Sequence, residues 1–460
     1  MRIWVIFILV GLLFGCNGTP SDETVDGILE VPENRQNPNS RTLHLVYKVL
    51  KAKNTDSKKN PILYLQGGPG AATLVMESFW ENHFLRDDRD IVLMDQRGTG
   101  TSEANCIQVG NAMFAILRED LTPDGEIKAQ DLLLSKYKEA IKQKGVDLAG
   151  YTSQENAADF EDLRKALGYK NWNLYGVSYG SRLGLTIMRD FPKSVRSALL
   201  VGILAPENNL FETFIPNFEN SLFSVLERCE QNEDCNKRYP NLKERLVKTL
   251  NKIRGTPLRL NYKGKPLVIN LQDALFLLHQ SLYSWYSVSN IPLLIESLEK
   301  EETEMILTAL ERVEFIYGFV NWPMNYSVMA YEELPFNDFA RVDETLNQSE
   351  LGFDLPSYGS SGIKLLEDWH SFRAPSIENQ SVISEIPTLM VSGSLDPVTP
   401  PSNAKEALSS LKNGYEIVFQ DDSHEIFNPC FFQIAEEFLN NPLQKVNSEC
   451  SNKRKPIEWN

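Results

Sequence analysis

The period of the apolar positions changes twice along this chain. Thr42 to Val49 alternates apolar and polar residues, as a half-buried strand does. Pro61-Ile62-Leu63-Tyr64-Leu65 and Asp90-Ile91-Val92-Leu93-Met94 are unbroken apolar runs followed by glycines, which predicts parallel strands buried on both faces. From Ser153 the spacing becomes helical: Ala157, Phe160, Leu163 and Leu167 recur on one face, and Gly168 stands at the end. Trp172 to Tyr175 then reads as a strand, Leu183 to Arg189 begins a helix, and Val195 to Ile203 is a further strand.

From about Ala205 to Glu378 the strand–helix alternation gives way to helical periodicity, aromatic residues and charge. Trp285, Tyr286, Trp322 and Tyr326 lie in this stretch. Strand character returns at Pro387 to Val391 and Tyr415 to Phe419, and a helix over Phe431 to Leu439 closes the pattern. The simplest architecture is one α/β domain in two sequence pieces, residues 27–205 and 379–460. A mostly helical cap, residues 206–378, is inserted between its sixth and seventh strands.

The first residues behave differently. Arg2 precedes an apolar run, Ile3 to Leu13, too short to span a bilayer comfortably. It ends in Leu13-Phe14-Gly15-Cys16, which resembles a lipobox. Residues 1–16 therefore read as a lipoprotein signal peptide with Cys16 as the lipidated residue, and residues 17–26 as a polar tether. The expected location is the cell envelope of a bacterium, lipid-anchored and exported. Of the six cysteines, Cys229 with Cys235 and Cys430 with Cys450 are disulfide candidates, and Cys106 is left over. No CxxC pair or neighbouring histidine offers zinc spacing, so neither metal nor cofactor is expected. A formal charge of −16 excludes nucleic acid as a partner.

The chemistry concentrates at Gly176-Val177-Ser178-Tyr179-Gly180, a Gly-x-Ser-x-Gly pattern between strand and helix. A serine hydroxyl needs a base, and only five histidines exist. His424 follows the last strand and precedes the closing helix, where the base of an α/β hydrolase belongs. Asp396 follows the strand ending at Val391 and supplies the acid, giving the order Ser178, Asp396, His424. Asp421 and Asp422 are rival acids by proximity in sequence. The oxyanion of an acyl-transfer intermediate needs two backbone donors. Tyr179, directly after the serine, supplies one, and Gly68, in Gln66-Gly67-Gly68-Pro69-Gly70, the other.

Taken in order, Gln66 to Gly70, Asp95-Gln96-Arg97-Gly98-Thr99-Gly100, the Ser178 pentapeptide and Gly393 to Pro400 resemble the proline iminopeptidase and tripeptidyl aminopeptidase family of serine peptidases. The resemblance implies an α/β-hydrolase core with a helical cap and release of residues or short peptides from free N-termini. It also implies acidic cap residues that hold the substrate amine, for which Glu332 and Glu333 are the candidates. The chain departs from the family at Gln66, where histidine is usual, at Ala330, where a cysteine is frequent, and at Val201, where aspartate is common. An esterase or lipase using the same triad is the competing reading, and a catalytically silent peptide-binding lipoprotein a remote one.

Overall fold

The apolar runs become the middle of an eight-stranded sheet. The computed structural model describes residues 23–101, 107–353, 363–452 and 457–460. Strands β1 (Thr24–Pro32), β2 (Thr42–Leu50), β3 (Ile62–Leu65), β4 (Ile91–Met94), β5 (Trp172–Val177) and β6 (Val195–Val201) come first. A two-stranded hairpin, β7 (Leu258–Tyr262) and β8 (Lys265–Ile269), lies in the cap, and β9 (Thr388–Gly393) and β10 (Gly414–Phe419) complete the sheet. The order is β1-β2-β4-β3-β5-β6-β9-β10. Only β2 runs against its neighbours, and from β4 to β10 every pairing is parallel. β3 and β4 are wholly buried, which is why their sequences show no alternation. β1 keeps partial exposure at the sheet edge.

Three apolar cores organise the described residues. The first lies between one sheet face and the helices Ser153–Leu167 and Tyr179–Asp190, and the second face is covered by the closing helix Pro429–Asn440. The third belongs to the cap. It gathers Phe218 and Leu222, Leu275 and Leu278, and Leu310 and Val313, all between β6 and β9, but also Val109, Met113, Phe114 and Leu117.

Those last four residues correct the expected organisation. The helix Ile107–Leu117 leaves the sheet after β4 and joins the cap core, so the cap is built from two excursions rather than from residues 206–378 alone. The β7–β8 hairpin is a second departure from an all-helical cap. Thr24, Val25 and Asp26, expected within the tether, pair with Leu50, Val49 and Lys48 as the start of β1. Cys16 and Cys106 lie outside the described residues. Disulfides join Cys229 to Cys235 and Cys430 to Cys450.

Candidate active site

Parallel strands place their C-terminal ends along one edge of the sheet, and the loops there carry the chemistry. After β5 the chain turns sharply into the helix Tyr179–Asp190. Ser178 sits on that turn at φ 57°, ψ −126°, a conformation that a side chain adopts only under constraint. The constraint is packing. A Cβ on Gly180 would lie 2.0 Å from the carbonyl oxygen of Leu65, so only glycine lets the helix start this close to β3. The Ser178 N–H donates to the Val201 carbonyl (2.8 Å), and its own carbonyl accepts from Ser181 Oγ (2.6 Å).

Asp396 and His424 meet on the neighbouring loops. His424 Nδ1 lies 2.8 Å from Asp396 Oδ2. Thr399 Oγ1 donates to the same oxygen (2.7 Å) and stands 3.0 Å from the imidazole nitrogen. The other carboxylate oxygen accepts the N–H groups of Val398 (2.9 Å) and Thr399 (2.8 Å). Burial alone would raise the Asp396 carboxyl, but the charge and hydrogen bond of His424 outweigh it and hold it below the ordinary carboxylate range. Burial likewise opposes charge on His424, yet the Asp396 carboxylate lifts the imidazole above its usual value. The His424 ring packs against Gly202, directly after Val201, the residue whose carbonyl holds Ser178: a Cβ on Gly202 would lie 3.1 Å from His424 Cε1. The serine turn and the histidine therefore share one β6 terminus.

The rival acids face elsewhere. Asp421 pairs with Arg228 (2.5 Å), and Asp422 Oδ2 accepts from Asn428 Nδ2 (2.9 Å). Sequence reasoning does not single out Thr399. Its signal is the spacing Asp396-x-x-Thr399, which lets one residue satisfy the carboxylate through both its backbone and its hydroxyl.

The two expected oxyanion donors lie directly after Ser178 and on the glycine loop after β3. Tyr179 is the first residue of its helix, where N–H groups have no intrahelical acceptor. On the opposite loop, Gly67 donates its N–H to Gln66 Oε1 (3.2 Å). Gln66 takes a structural part here. Its side chain also accepts from the Tyr64 hydroxyl (2.9 Å), and its carbonyl accepts from Gln96 Nε2 (2.8 Å).

The amine-binding pair does not stand open in the cap. Glu332 and Glu333 are 1% and 3% exposed, held beneath the serine turn by Arg182. Arg182 Nε donates to Glu332 Oε2 (3.1 Å) and Arg182 Nη1 to Glu333 Oε1 (2.6 Å). Ser153 adds its N–H and hydroxyl to Glu332, and the Leu210 N–H is donated to Glu333. The physical reason is elementary: two carboxylates so deeply buried require a cation, and Arg182 projects one from the nucleophile helix. Sequence reasoning passes over Arg182 and Ser153 as well. Arg182, one turn after the serine and the first charged residue of its helix, is the available clue. His279, on a cap helix, also comes near the site. It packs on Tyr283, whose ring is 5.0 Å from that of His424.

Among the described residues no cluster of three metal-ligating side chains occurs, and no helix is long and apolar enough to cross a membrane.

Comparison with known proteins now adds to the geometry. Residues 60–239 match the family model described as alpha/beta hydrolase fold, and residues 358–450 match a second described as TAP-like protein. The chain has the α/β-hydrolase fold. Tripeptidyl aminopeptidase of Streptomyces lividans is 28% identical over 195 residues, covering 40% of this chain and 36% of that protein. A putative hydrolase, YuaR, of Escherichia coli is 27% identical over 196 residues, covering 40% and 37%. Serine protease Hip1 of Mycobacterium tuberculosis is 22% identical over 438 residues, covering 86% and 82%. The chain thus spans little more than a third of the length of the first two relatives and most of the third.

Proposed function

We propose that this protein is a serine exopeptidase that releases N-terminal residues or short peptides through an acyl-enzyme on Ser178. The observation that carries the reading is the Asp396–His424 pair beside the strained Ser178 turn, opposite the glycine loop and under a cap. In the first step Ser178 Oγ attacks the scissile carbonyl while His424 Nε2 takes the hydroxyl proton. Asp396 holds Nδ1–H and stabilises the imidazolium that forms. The oxyanion is met by the amides of Gly68 and Tyr179, each contributing about 3–4 kcal/mol by the measure of single-donor removals. His424 then gives its proton to the leaving amine, and water repeats the cycle on the ester.

Peptides rather than esters are favoured as substrates because relatives along both parts of the chain bear the names tripeptidyl aminopeptidase and serine protease. The same reading includes an exported protein tethered through lipid on Cys16, supported by the apolar run that precedes it. Incorporation of labelled palmitate that survives Cys16→Ala would remove that part alone. For the catalytic part, one- to three-residue peptidyl anilides with free amines, their N-acetylated forms and short-chain nitrophenyl esters are compared, with Ser178→Ala as control. Free-amine anilides should be cleaved and acetylated ones spared. Cleavage indifferent to acetylation would sink the exopeptidase reading, and activity on esters alone would replace it with an esterase.

A further inference from the structure

We infer that one cap segment, Val320 to Glu333, braces both oxyanion donors at once, with Asn325 and Glu332 as positioning residues. The inference rests on the serine-hydrolase reading of Ser178. At its start the segment grips the glycine loop just beyond Gly68: Val320 bridges Ala71, the Asn321 N–H donates to the Gly70 carbonyl (2.8 Å), and Asn325 Nδ2 donates to the Pro69 carbonyl (3.0 Å). The helix Trp322–Val328 then runs into a single π-helical turn, Met329–Glu333. Such turns often re-aim side chains at functional positions.

Here the turn drives Glu332 under the nucleophile. Glu332 Oε2 accepts from Ser153 Oγ (2.6 Å), whose oxygen lies 2.8 Å from the Tyr179 hydroxyl, so the residue that supplies the second donor is tied to the same segment. Arg182, one turn along the nucleophile helix, is tied to Glu332 as well. Oxyanion donors work only if they are aimed before charge develops. Fixing both to one rigid piece of cap sets their mutual spacing, and a displaced cap would spoil both together.

The test uses the rate of labelling of Ser178 by a fluorophosphonate, which needs the nucleophile and the oxyanion hole but no particular peptide. Asn325→Ala loosens the glycine loop, and Tyr179→Phe removes the tie to Ser153 while keeping the backbone donor. Removing a donor outright costs 10²–10³, so each displacement is expected to slow labelling about tenfold. The two touch different donors, so the double variant should lose about a hundredfold. A purely structural role would lower the urea midpoint and the fraction labelled, while the rate constant of the folded molecules stayed at the wild-type value. Glu332→Gln should behave as Tyr179→Phe does, with some loss of stability. Rates within twofold of wild type for folded Asn325→Ala and Tyr179→Phe would overturn the brace. Wild-type protein that is not labelled, or is labelled equally after Ser178→Ala, would instead overturn the serine-hydrolase reading on which the brace depends.

Discussion

Replacing Asp396 by asparagine perturbs a single atom of the site, and the surrounding bonds dictate how the new side chain sits. The Val398 and Thr399 N–H groups both point at Asp396 Oδ1, so the asparagine carbonyl must take that position and its NH2 must take the place of Oδ2. That amide then faces His424 Nδ1, formerly 2.8 Å from a carboxylate oxygen. Nδ1 becomes an acceptor, the ring proton moves to Nε2, and the nitrogen that should receive the Ser178 proton is blocked. The lost charge gives a second magnitude. Opposite charges centred about 4 Å apart are worth about 4 kcal/mol at an effective dielectric of 20, or roughly a thousandfold in rate. The tautomer argument reaches about 10⁴ by precedent. Fluorophosphonate labelling and anilide hydrolysis should therefore fall by about 10³–10⁴, while the urea midpoint confirms a folded protein. The pH profile adds a check. In the wild type the Asp396 charge raises His424, so activity is lost as pH falls through a value above 6.5. The residual activity of the variant should lose its acid limb only at lower pH. A folded variant within tenfold of wild type, with its acid limb unmoved, would refute the assignment and point to Asp422.

Gly67→Ala should cut labelling of Ser178 by about a hundredfold, in line with the cost of an ångström-scale displacement of reacting groups. The new Cβ would lie 2.9 Å from Ser178 Cβ and 3.0 Å from the Val177 carbonyl oxygen; unchanged labelling would show the loop free to retreat. Arg182→Met leaves two buried carboxylates without their cation and should lower the unfolding free energy by about 3–5 kcal/mol. Most of that should return in Arg182→Met with Glu332→Gln and Glu333→Gln, and urea melts at pH 7 decide it. Burial pushes the imidazoles of His83 and His279 down to about 4 and about 3. Both then take up protons on unfolding, so stability is full well above pH 6.5 and falls as pH drops below it. The loss on the order of 3 kcal/mol from His83 alone is complete below pH 4. Unfolding free energies that do not fall between pH 7 and 4 would contradict this, and His279→Gln should flatten the slope.

The parts of the fold visible in the sequence are those where one physical demand dominates. β3 and β4 are buried on both faces, and such strands read as unbroken apolar runs, so Ile62 to Leu65 and Ile91 to Met94 stand out. β1 lies at the sheet edge with Ile28 62% exposed, and its pattern merges with the polar residues before it. The contribution of Val109, Met113, Phe114 and Leu117 to the cap is equally hidden. Their spacing says only that the helix buries a face, and the partner they bury it against is remote in sequence. Periodicity reports that a surface is covered, not by what.

The same distinction governs the site. Ser178, Asp396 and His424 each occupy a loop at the end of a strand, and their order along the chain is enough to pick them out. Glu332 and Glu333 are legible only as charge, and a charge seen in sequence has no partner attached to it. Whether a carboxylate pair binds a ligand's ammonium or an internal guanidinium depends on what stands opposite, and here Arg182 stands there, 2% exposed. That occupancy changes what the pair does. Carboxylates spent on an internal cation cannot also serve as an open substrate anchor without exposing Arg182. They can, however, transmit position, because a buried, fully bonded ion cluster is stiff. The residues whose charge suggests a hold on the substrate are bonded within the protein instead: Glu332 accepts from Ser153, whose hydroxyl oxygen lies 2.8 Å from that of Tyr179.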